Sequence, residues 1–200
     1  PLIYVDSPGA DDAPFVGTDN SQSFGLIVDY LCRSGDAPCF LGMPDVNRNA
    51  HARRIAYERA MAAAGHDPMV LPIPEGSSWD FEKFGHEQMC RPMQAGLPSG
   101  TLLCANDRIA FGALLAAWEA GRRVGHGAGF DLRIAGHDDH PLARYTCPPL
   151  TTVAQDYAEI ARQATARLLA MLGERDPEPA PEGGGDQLLL KASIMLRSSA

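Results

Sequence analysis

Thr101-Leu102-Leu103-Cys104-Ala105-Asn106-Asp107 is the segment most informative about the fold, because an apolar run stops there at two polar residues. A short, bounded apolar run is typical of a buried strand. The segment from Asp107 to Ala120 has the pattern of a helix that ends at Gly121. We therefore predict a strand that leads directly into a helix, which is the repeating unit of a parallel α/β sheet.

The same unit recurs on both sides of this stretch. Strands or extended segments are predicted at Leu2–Val5, Pro14–Gly17, Cys39–Gly42, Val70–Ile73, Thr101–Ala105 and Leu132–Ala135, with one or two closing strands in Gln187–Leu196. Helices are predicted at about 20–32, 50–64, 79–95, 107–120 and 156–172. Strands that alternate with helices of this length predict an α/β fold with parallel sheets flanked by helices.

The composition restricts the class of protein. The chain has 200 residues, 45% of them hydrophobic and 21% charged, which is typical of a globular protein. Its net charge of −8 argues against direct binding to a nucleic-acid backbone. No apolar run approaches the roughly 20 residues that span a bilayer, so no membrane contact is expected. Five cysteines without C-x-x-C spacing argue against a disulfide framework and favour a cytoplasmic protein.

Polar side chains follow two of the predicted strands. Asn106 and Asp107 follow one strand, and Gly136-His137-Asp138-Asp139-His140 follows another. Ligands of open α/β sheets bind just beyond the carboxyl ends of the strands, so these side chains form the candidate site. At least one of Asn106 and Asp107 is expected to cap the following helix. A cap at Asp107 would leave the Asn106 amide free to face a ligand.

Signatures of common enzyme classes are missing from the sequence. There is no G-x-S-x-G elbow, no G-x-x-x-x-G-K-[ST] phosphate loop and no H-E-x-x-H motif, so no catalytic residue and no cofactor is expected. His137, Asp138, Asp139 and His140 leave a metal-dependent hydrolase as an alternative. Adjacent side chains in an extended turn tend to diverge, so we expect no metal. A carboxylate at a strand end can instead accept hydrogen bonds from the hydroxyls of a polyol ligand.

Several motifs occur in a specific order and spacing. Ala105-Asn106-Asp107 with Ala110 and Gly112 matches A-N-D-x-x-A-x-G, and Pro148–Gln155 matches P-P-L-T-T-x-x-Q. Pro1–Asp6, Asp19–Leu31, Arg53–Met61 and Leu196–Ser199 fit the same series. With these motifs the chain resembles the effector-binding domain of LacI/GalR-family bacterial transcription regulators.

The resemblance implies a bilobal, type I periplasmic-binding-protein-like fold. It places a partial first lobe at 1–17 and 153–183 and a nearly complete second lobe at 18–152 and 184–200. It also implies a homodimer that senses a small-molecule effector, with a sugar as the expected ligand. Operator DNA would be bound only through a helix-turn-helix domain of the full-length protein, which is absent from this chain.

The resemblance also implies a set of ligand-binding residues. Arg53 matches an arginine that reaches the ligand, with Arg54 as the competing candidate. Asn106 and Asp138 match an amide and a carboxylate that bind ligand hydroxyls. The remaining expected ligand contacts are Asp6, Trp79, Gln155 and Tyr157.

Alternatives to these assignments remain open. Arg53 can be a surface charge, Trp79 a core anchor, Asp6 a turn former and Tyr157 a packing residue. At the level of function, a periplasmic sugar-binding protein of a transporter shares the bilobal fold. The free cysteines and the motifs at Pro148–Thr152 and Leu196–Ser199 favour the regulator.

Overall fold

The computed structural model describes residues 1–9, 13–76, 79–174 and 187–200. Its strands are β1 Tyr4–Val5, β2 Phe15–Thr18, β3 Cys39–Leu41, β4 Met69–Val70, β5 Thr101–Cys104, β6 Arg133–Ala135, β7 Thr152–Ala154, β8 Gln187–Leu190 and β9 Ser193–Met195. Its α-helices are α1 Asn20–Ser34, α2 Arg48–Ala63, α3 Phe81–Ala95, α4 Asp107–Glu119 and α5 Tyr157–Met171, with a 3-10 turn at Ala143–Tyr145. The predicted alternation of strands and helices is confirmed.

The main sheet has four parallel strands in the order β4-β3-β5-β6. Its central strands are apolar on both faces, and Phe40, Leu102, Leu103 and Ile134 are fully buried. A strand that is buried on both faces needs helices on both sides, which explains the continuous apolar runs in the sequence. Cys39 and Cys104 lie in this core as small apolar side chains, and burial raises the pKa of the Cys39 thiol to about 12.

A second sheet holds β1, β2 and β8 in that order, all parallel, and β7 pairs with β9 in an antiparallel ribbon. Val16, Leu188, Ile160 and Ala164 form a small core between the second sheet and α5. The predicted lobe boundaries assign β8 to the second lobe, whereas the structure pairs β8 with β2. The division into lobes stays a prediction, and its boundary at 183/184 lies outside the described residues.

The helices begin at side chains that cap them. Asp19, Asn47, Asp80, Asn106 and Asp156 each accept a hydrogen bond from the backbone N–H three residues further on. At α1 the capping residue is Asp19, one residue before the predicted start of the helix, and its carboxylate accepts from Gln22 N at 3.0 Å. In the part of the chain that the structure describes, no helix is both long and apolar enough to cross a membrane.

Helices α3 and α4 pack so closely that two glycines are required between them. A Cβ atom at Gly85 would lie 2.1 Å from the Ile109 carbonyl oxygen, and one at Gly112 would lie 2.1 Å from the Glu82 carbonyl oxygen. Non-bonded heavy atoms do not lie this close together, so a side chain at either glycine would force the two helix backbones apart. The two helices are therefore held at a separation that the backbone itself sets.

Candidate functional site

The predicted strand ends meet at one edge of the fold. Asp6 follows β1, Asp138 follows β6 and Gln155 follows β7, while Asn106 separates β5 from α4. Arg53 reaches this edge from α2, and its Nη1 donates to the Ala105 carbonyl oxygen at 2.7 Å. The carboxyl-end rule thus brings together residues from five separate parts of the chain.

Arg53 and Asp138 form an ion pair at the centre of this edge. Arg53 Nη2 lies 2.7 Å from Asp138 Oδ1, and the two side chains are 3% and 24% exposed. Burial alone would raise the pKa of Asp138, but the Arg53 charge and a hydrogen bond with His137 outweigh it and hold that pKa well below its usual range. The neighbouring Arg54 is exposed and pairs with Glu58. Arg53 is therefore the arginine that faces the candidate site.

Three donors converge on Oδ1 of Asp138. Besides Arg53, Gln155 Nε2 lies 2.7 Å away and His137 Nδ1 lies 3.0 Å away. His137 is fully buried, and burial together with the Arg53 charge lowers its pKa, so the ring is neutral near pH 7. If Nδ1 carries the proton, Nε2 accepts from the Ser23 hydroxyl at 2.9 Å. The φ angle of 121° at Asp138 fits a residue whose position is set by such contacts.

Two buried polar atoms beside this ion pair have no hydrogen-bond partner in the described residues. They are Oδ1 of Asp6 and Nε of Arg53. Burial raises the pKa of Asp6 and the Asp138 charge adds to that rise, whereas Arg53 and Gln155 oppose it. Since buried polar groups in folded proteins nearly always have a partner, these two atoms mark a place where a ligand can bind.

Gln155 and Tyr157 line the edge on the side of the second sheet, which holds β1, β2 and β8. The Thr18 hydroxyl donates to Gln155 Oε1, and Gln155 Nε2 lies 3.3 Å from the Tyr157 hydroxyl. Tyr157 is half-exposed, and burial followed by the Asp138 charge raises its pKa. Its hydroxyl therefore stays protonated near neutral pH and can donate to a ligand.

Asn106 is the N-cap of α4, so the alternative in which Asp107 caps and leaves Asn106 free is wrong. Asn106 Oδ1 accepts from Ile109 N at 2.8 Å, and its amide nitrogen lies 3.3 Å from the Met43 sulfur. Asp107 is buried instead, where its carboxylate accepts from the Thr152 hydroxyl and the His140 backbone N–H. The amide N–H of Asn106 is thus the part of that side chain left for a ligand.

Trp79 lies apart from the ion pair in its contacts. Its side chain is 60% exposed, and its ring packs on Phe81 with the ring centroids 5.6 Å apart. The guanidinium of Arg108 lies over the Phe81 ring, 5.2 Å from the ring centroid. A role for Trp79 in ligand binding stays a prediction.

The sequence analysis missed three residues that hold the site. Thr18 orients Gln155, Asn49 donates to the Asp6 carbonyl oxygen at 3.4 Å, and Ser23 orients His137. Thr18 could have been found, because it ends a strand as Asn106 and Asp138 do. Asn49 precedes Arg53 by one helical turn and so shares its face of α2.

The residues of the metal alternative do not converge. Asp139 pairs with Arg197 at 2.6 Å, and the His140 ring contacts Phe111 with 5.5 Å between ring centroids. His137 and Asp138 are committed to Ser23 and Arg53. In the described ranges, the group of His, Cys and acidic side chains that does converge lies elsewhere, at His86, Cys90 and Glu119.

Comparison with known proteins identifies the family of this chain. The family model of the periplasmic binding protein-like domain matches residues 31–199. The HTH-type transcriptional repressor PurR of Haemophilus influenzae is 35% identical over 181 residues, which cover 88% of this chain and 51% of PurR. The chain thus spans about half the length of that relative.

Two solved structures share the fold at lower identity. A Lac repressor dimer bound to operator and the anti-inducer ONPF is 24% identical with a TM-score of 0.81, covering 100% of this chain and 65% of that one. A LacI-family regulator of Enterococcus faecium with bound ribose is 22% identical with a TM-score of 0.78, covering 100% and 70%. The chain therefore belongs to the periplasmic binding protein-like domain family, in the form of the effector-binding domain of LacI-type transcriptional regulators.

Proposed function

We propose that this domain senses a sugar or a similar polyol, which binds between Asp6, Arg53 and Asp138. The observation that carries the proposal is the pair of buried atoms without partners, Asp6 Oδ1 and Arg53 Nε. One hydroxyl group can donate to a carboxylate and accept from a guanidinium N–H, so a ligand with neighbouring hydroxyls satisfies both atoms. The ribose bound to the regulator of E. faecium supports this choice, since it occupies a protein of the same fold.

The same site couples binding to a change of shape. Asp6 follows β1 of the second sheet, and Asp138 follows β6 of the main sheet. A ligand that bonds to both favours the arrangement in which the two sheets lie closest, and so shifts the population of states. In the full-length protein this shift would control operator binding through a helix-turn-helix domain, as the name of PurR and the operator-bound Lac repressor suggest.

A regulator is favoured over a transporter's binding protein or an enzyme. PurR, the relative described above, is a transcriptional repressor, and a repressor makes or breaks no bond. A regulator that acts on DNA works in the cytoplasm, and the five free cysteines of the described chain suit that compartment. We propose a cytoplasmic sensor on these grounds.

We also propose that the sensor is a homodimer. Trp118 is 75% exposed, Leu115 46% and Tyr145 78%, and the Phe111–His140 contact holds α4 beside the segment that carries Tyr145. Leu115 and Trp118 are three residues apart on α4 and so share one helix face, and an exposed face with large apolar side chains is typical of a protein interface. A two-fold axis through this face would bury the same residues of both copies.

The test of the ligand site is binding to a defined panel of small molecules. Pentoses, hexoses, nucleosides and sugar phosphates are screened by thermal shift, and hits are measured by calorimetry. Asp6→Asn should weaken the best sugar about 10- to 100-fold, since a hydrogen bond to a charged group contributes roughly 1.5–3 kcal/mol. Asp29→Asn, at an exposed carboxylate of α1, is the matched control and should bind as the unmodified chain does.

The outcomes separate the site from the function. Equal affinity of Asp6→Asn and Asp29→Asn would reject the proposed site. A panel in which nucleosides bind and sugars do not would reject the ligand class. Asp6→Asn should fold, because asparagine keeps the size of the side chain and tolerates the φ angle of 63° at this position.

A further inference from the structure

A second cluster of potential ligand atoms is formed by residues of α3 and α4 that make no contact with the ion pair. His86 and Cys90 are one turn apart on α3, and Glu119 is the last residue of α4. His86 Nε2 lies 2.7 Å from Glu119 Oε2 and 3.5 Å from Cys90 Sγ. One ligand atom from each of the three side chains lies within 4.8 Å of the other two.

The backbone holds these three side chains in place. Gly112 of α4 would place a Cβ atom 2.4 Å from the His86 backbone nitrogen, so the helices touch at the position of His86 itself. Beyond the cluster, Arg122 Nε donates to the Met93 carbonyl oxygen at 3.0 Å and ties the end of α4 to α3. Contacts on either side of the cluster thus set the separation of the two helices that carry His86 and Glu119.

The donor set selects the type of metal. An imidazole nitrogen, a thiolate and a carboxylate are ligands of Zn²⁺, whereas Mg²⁺ and Ca²⁺ prefer oxygen atoms alone. Ligands at about 2.0–2.3 Å from a tetrahedral zinc lie roughly 3.3–3.8 Å from one another. The 3.5 Å between His86 and Cys90 meets this spacing, and the 2.7 Å between His86 and Glu119 needs an opening of about 1 Å at a partly exposed carboxylate.

We propose that His86, Cys90 and Glu119 bind Zn²⁺ and that the bound ion clamps α3 to α4. Three protein ligands leave a fourth position for water, so the ion is exchangeable rather than enclosed. Binding displaces the proton shared by His86 and Glu119 and the thiol proton of Cys90. The clamp lies next to the exposed face of α4, so a change in zinc would alter the rigidity of that face.

The experiment uses untagged protein kept reduced with a phosphine, because a histidine tag or an oxidised thiol would mislead. Co²⁺ is the probe of the donor set, since a cobalt–thiolate bond gives a charge-transfer absorption that oxygen and nitrogen ligands lack. Zn²⁺ affinity is then measured by competition with a chromogenic chelator. Thermal unfolding is followed with and without Zn²⁺, because a ligand that binds the folded state raises the melting temperature.

Matched variants make the proposal falsifiable. Cys90→Ser should lose the cobalt–thiolate absorption, and His86→Gln, Cys90→Ser and Glu119→Gln should each lose the rise in melting temperature with Zn²⁺. His51→Gln and Cys147→Ser, at exposed positions outside the cluster, should retain both signals. Retention of the absorption in Cys90→Ser, its loss in Cys147→Ser, or equal zinc affinity of cluster and control variants would overturn the proposal.

Discussion

Replacing Asp138 by asparagine removes a carboxylate charge 2.7 Å from a guanidinium that is 3% exposed. Asparagine keeps the size and shape of the side chain, so it meets the positive φ of 121° with the same steric demand as the aspartate it replaces. The Arg53 charge stays buried, with the Ala105 carbonyl oxygen as a remaining acceptor. The substitution therefore isolates the electrostatic part of the pair.

The size of the effect follows from this geometry. Two unit charges about 4 Å apart interact by about 4 kcal/mol at an effective dielectric constant near 20. The asparagine oxygen can still accept from Arg53, which returns about 1 kcal/mol. Asp138 is 24% exposed, so water screens part of the remainder. We expect the free energy of unfolding to fall by about 2–3 kcal/mol, near the lower end of the range for broken buried ion pairs.

Urea unfolding at neutral pH, followed by circular dichroism, measures this loss. Glu58→Gln breaks the exposed pair of the adjacent Arg54 and should cost less than about 1 kcal/mol. Arg53→Met added to Asp138→Asn removes the unpaired charge and should recover part of the stability. A loss in Asp138→Asn no larger than that in Glu58→Gln, or a double variant no more stable than Asp138→Asn, would show that the buried ion pair does not stabilise the fold.

Two further predictions concern pH and assembly. Burial raises the pKa of Asp107 to about 7, so its contribution to stability is present at low pH and lost as the pH rises through that value. Between about pH 4 and pH 8, the free energy of unfolding of Asp107→Asn should therefore rise relative to that of the unmodified chain by up to about 4 kcal/mol, as measured by urea unfolding. Parallel pH curves of the two proteins would contradict this. Trp118→Glu should reduce the mass in light scattering from about twice to about once 21.4 kDa, while Leu26→Glu on α1 leaves it unchanged. A monomeric unmodified chain would contradict the dimer.

Much of the fold could be predicted because its signals are local. Each strand of the main sheet is a short apolar run, and the carboxyl-end rule then places Asn106 and Asp138 at one edge without any tertiary information, whereas Asp6 was expected there only from the resemblance to the regulator family. The identity of Arg53 over Arg54 came from the resemblance to the regulator family. It could not come from the doublet itself, since both arginines lie on the same helix.

The remaining features depend on contacts that are distant in sequence. Asn106 rather than Asp107 caps α4, and the Asp107 carboxylate instead accepts a hydrogen bond from the hydroxyl of Thr152, which lies 45 residues further along the chain. The orientation of His137 depends on Ser23, 114 residues earlier in the chain. His86 and Cys90 show helical spacing, but Glu119 joins them only because Gly85 and Gly112 let two helices touch. No window of sequence contains these pairs.

The convergence of three donors on Oδ1 of Asp138 has a consequence for how the specificity of this sensor can change. That oxygen holds Arg53, Gln155 and His137 in position, so a substitution of Asp138 that suits a different effector also lowers the free energy of unfolding. Asp6 and Tyr157 are less constrained. Asp6 has a carboxylate oxygen without a hydrogen-bond partner in the described residues, and the Tyr157 side chain is half-exposed. Selection for a new effector, in nature or in the laboratory, should therefore accumulate changes at these two positions while Arg53 and Asp138 stay constant.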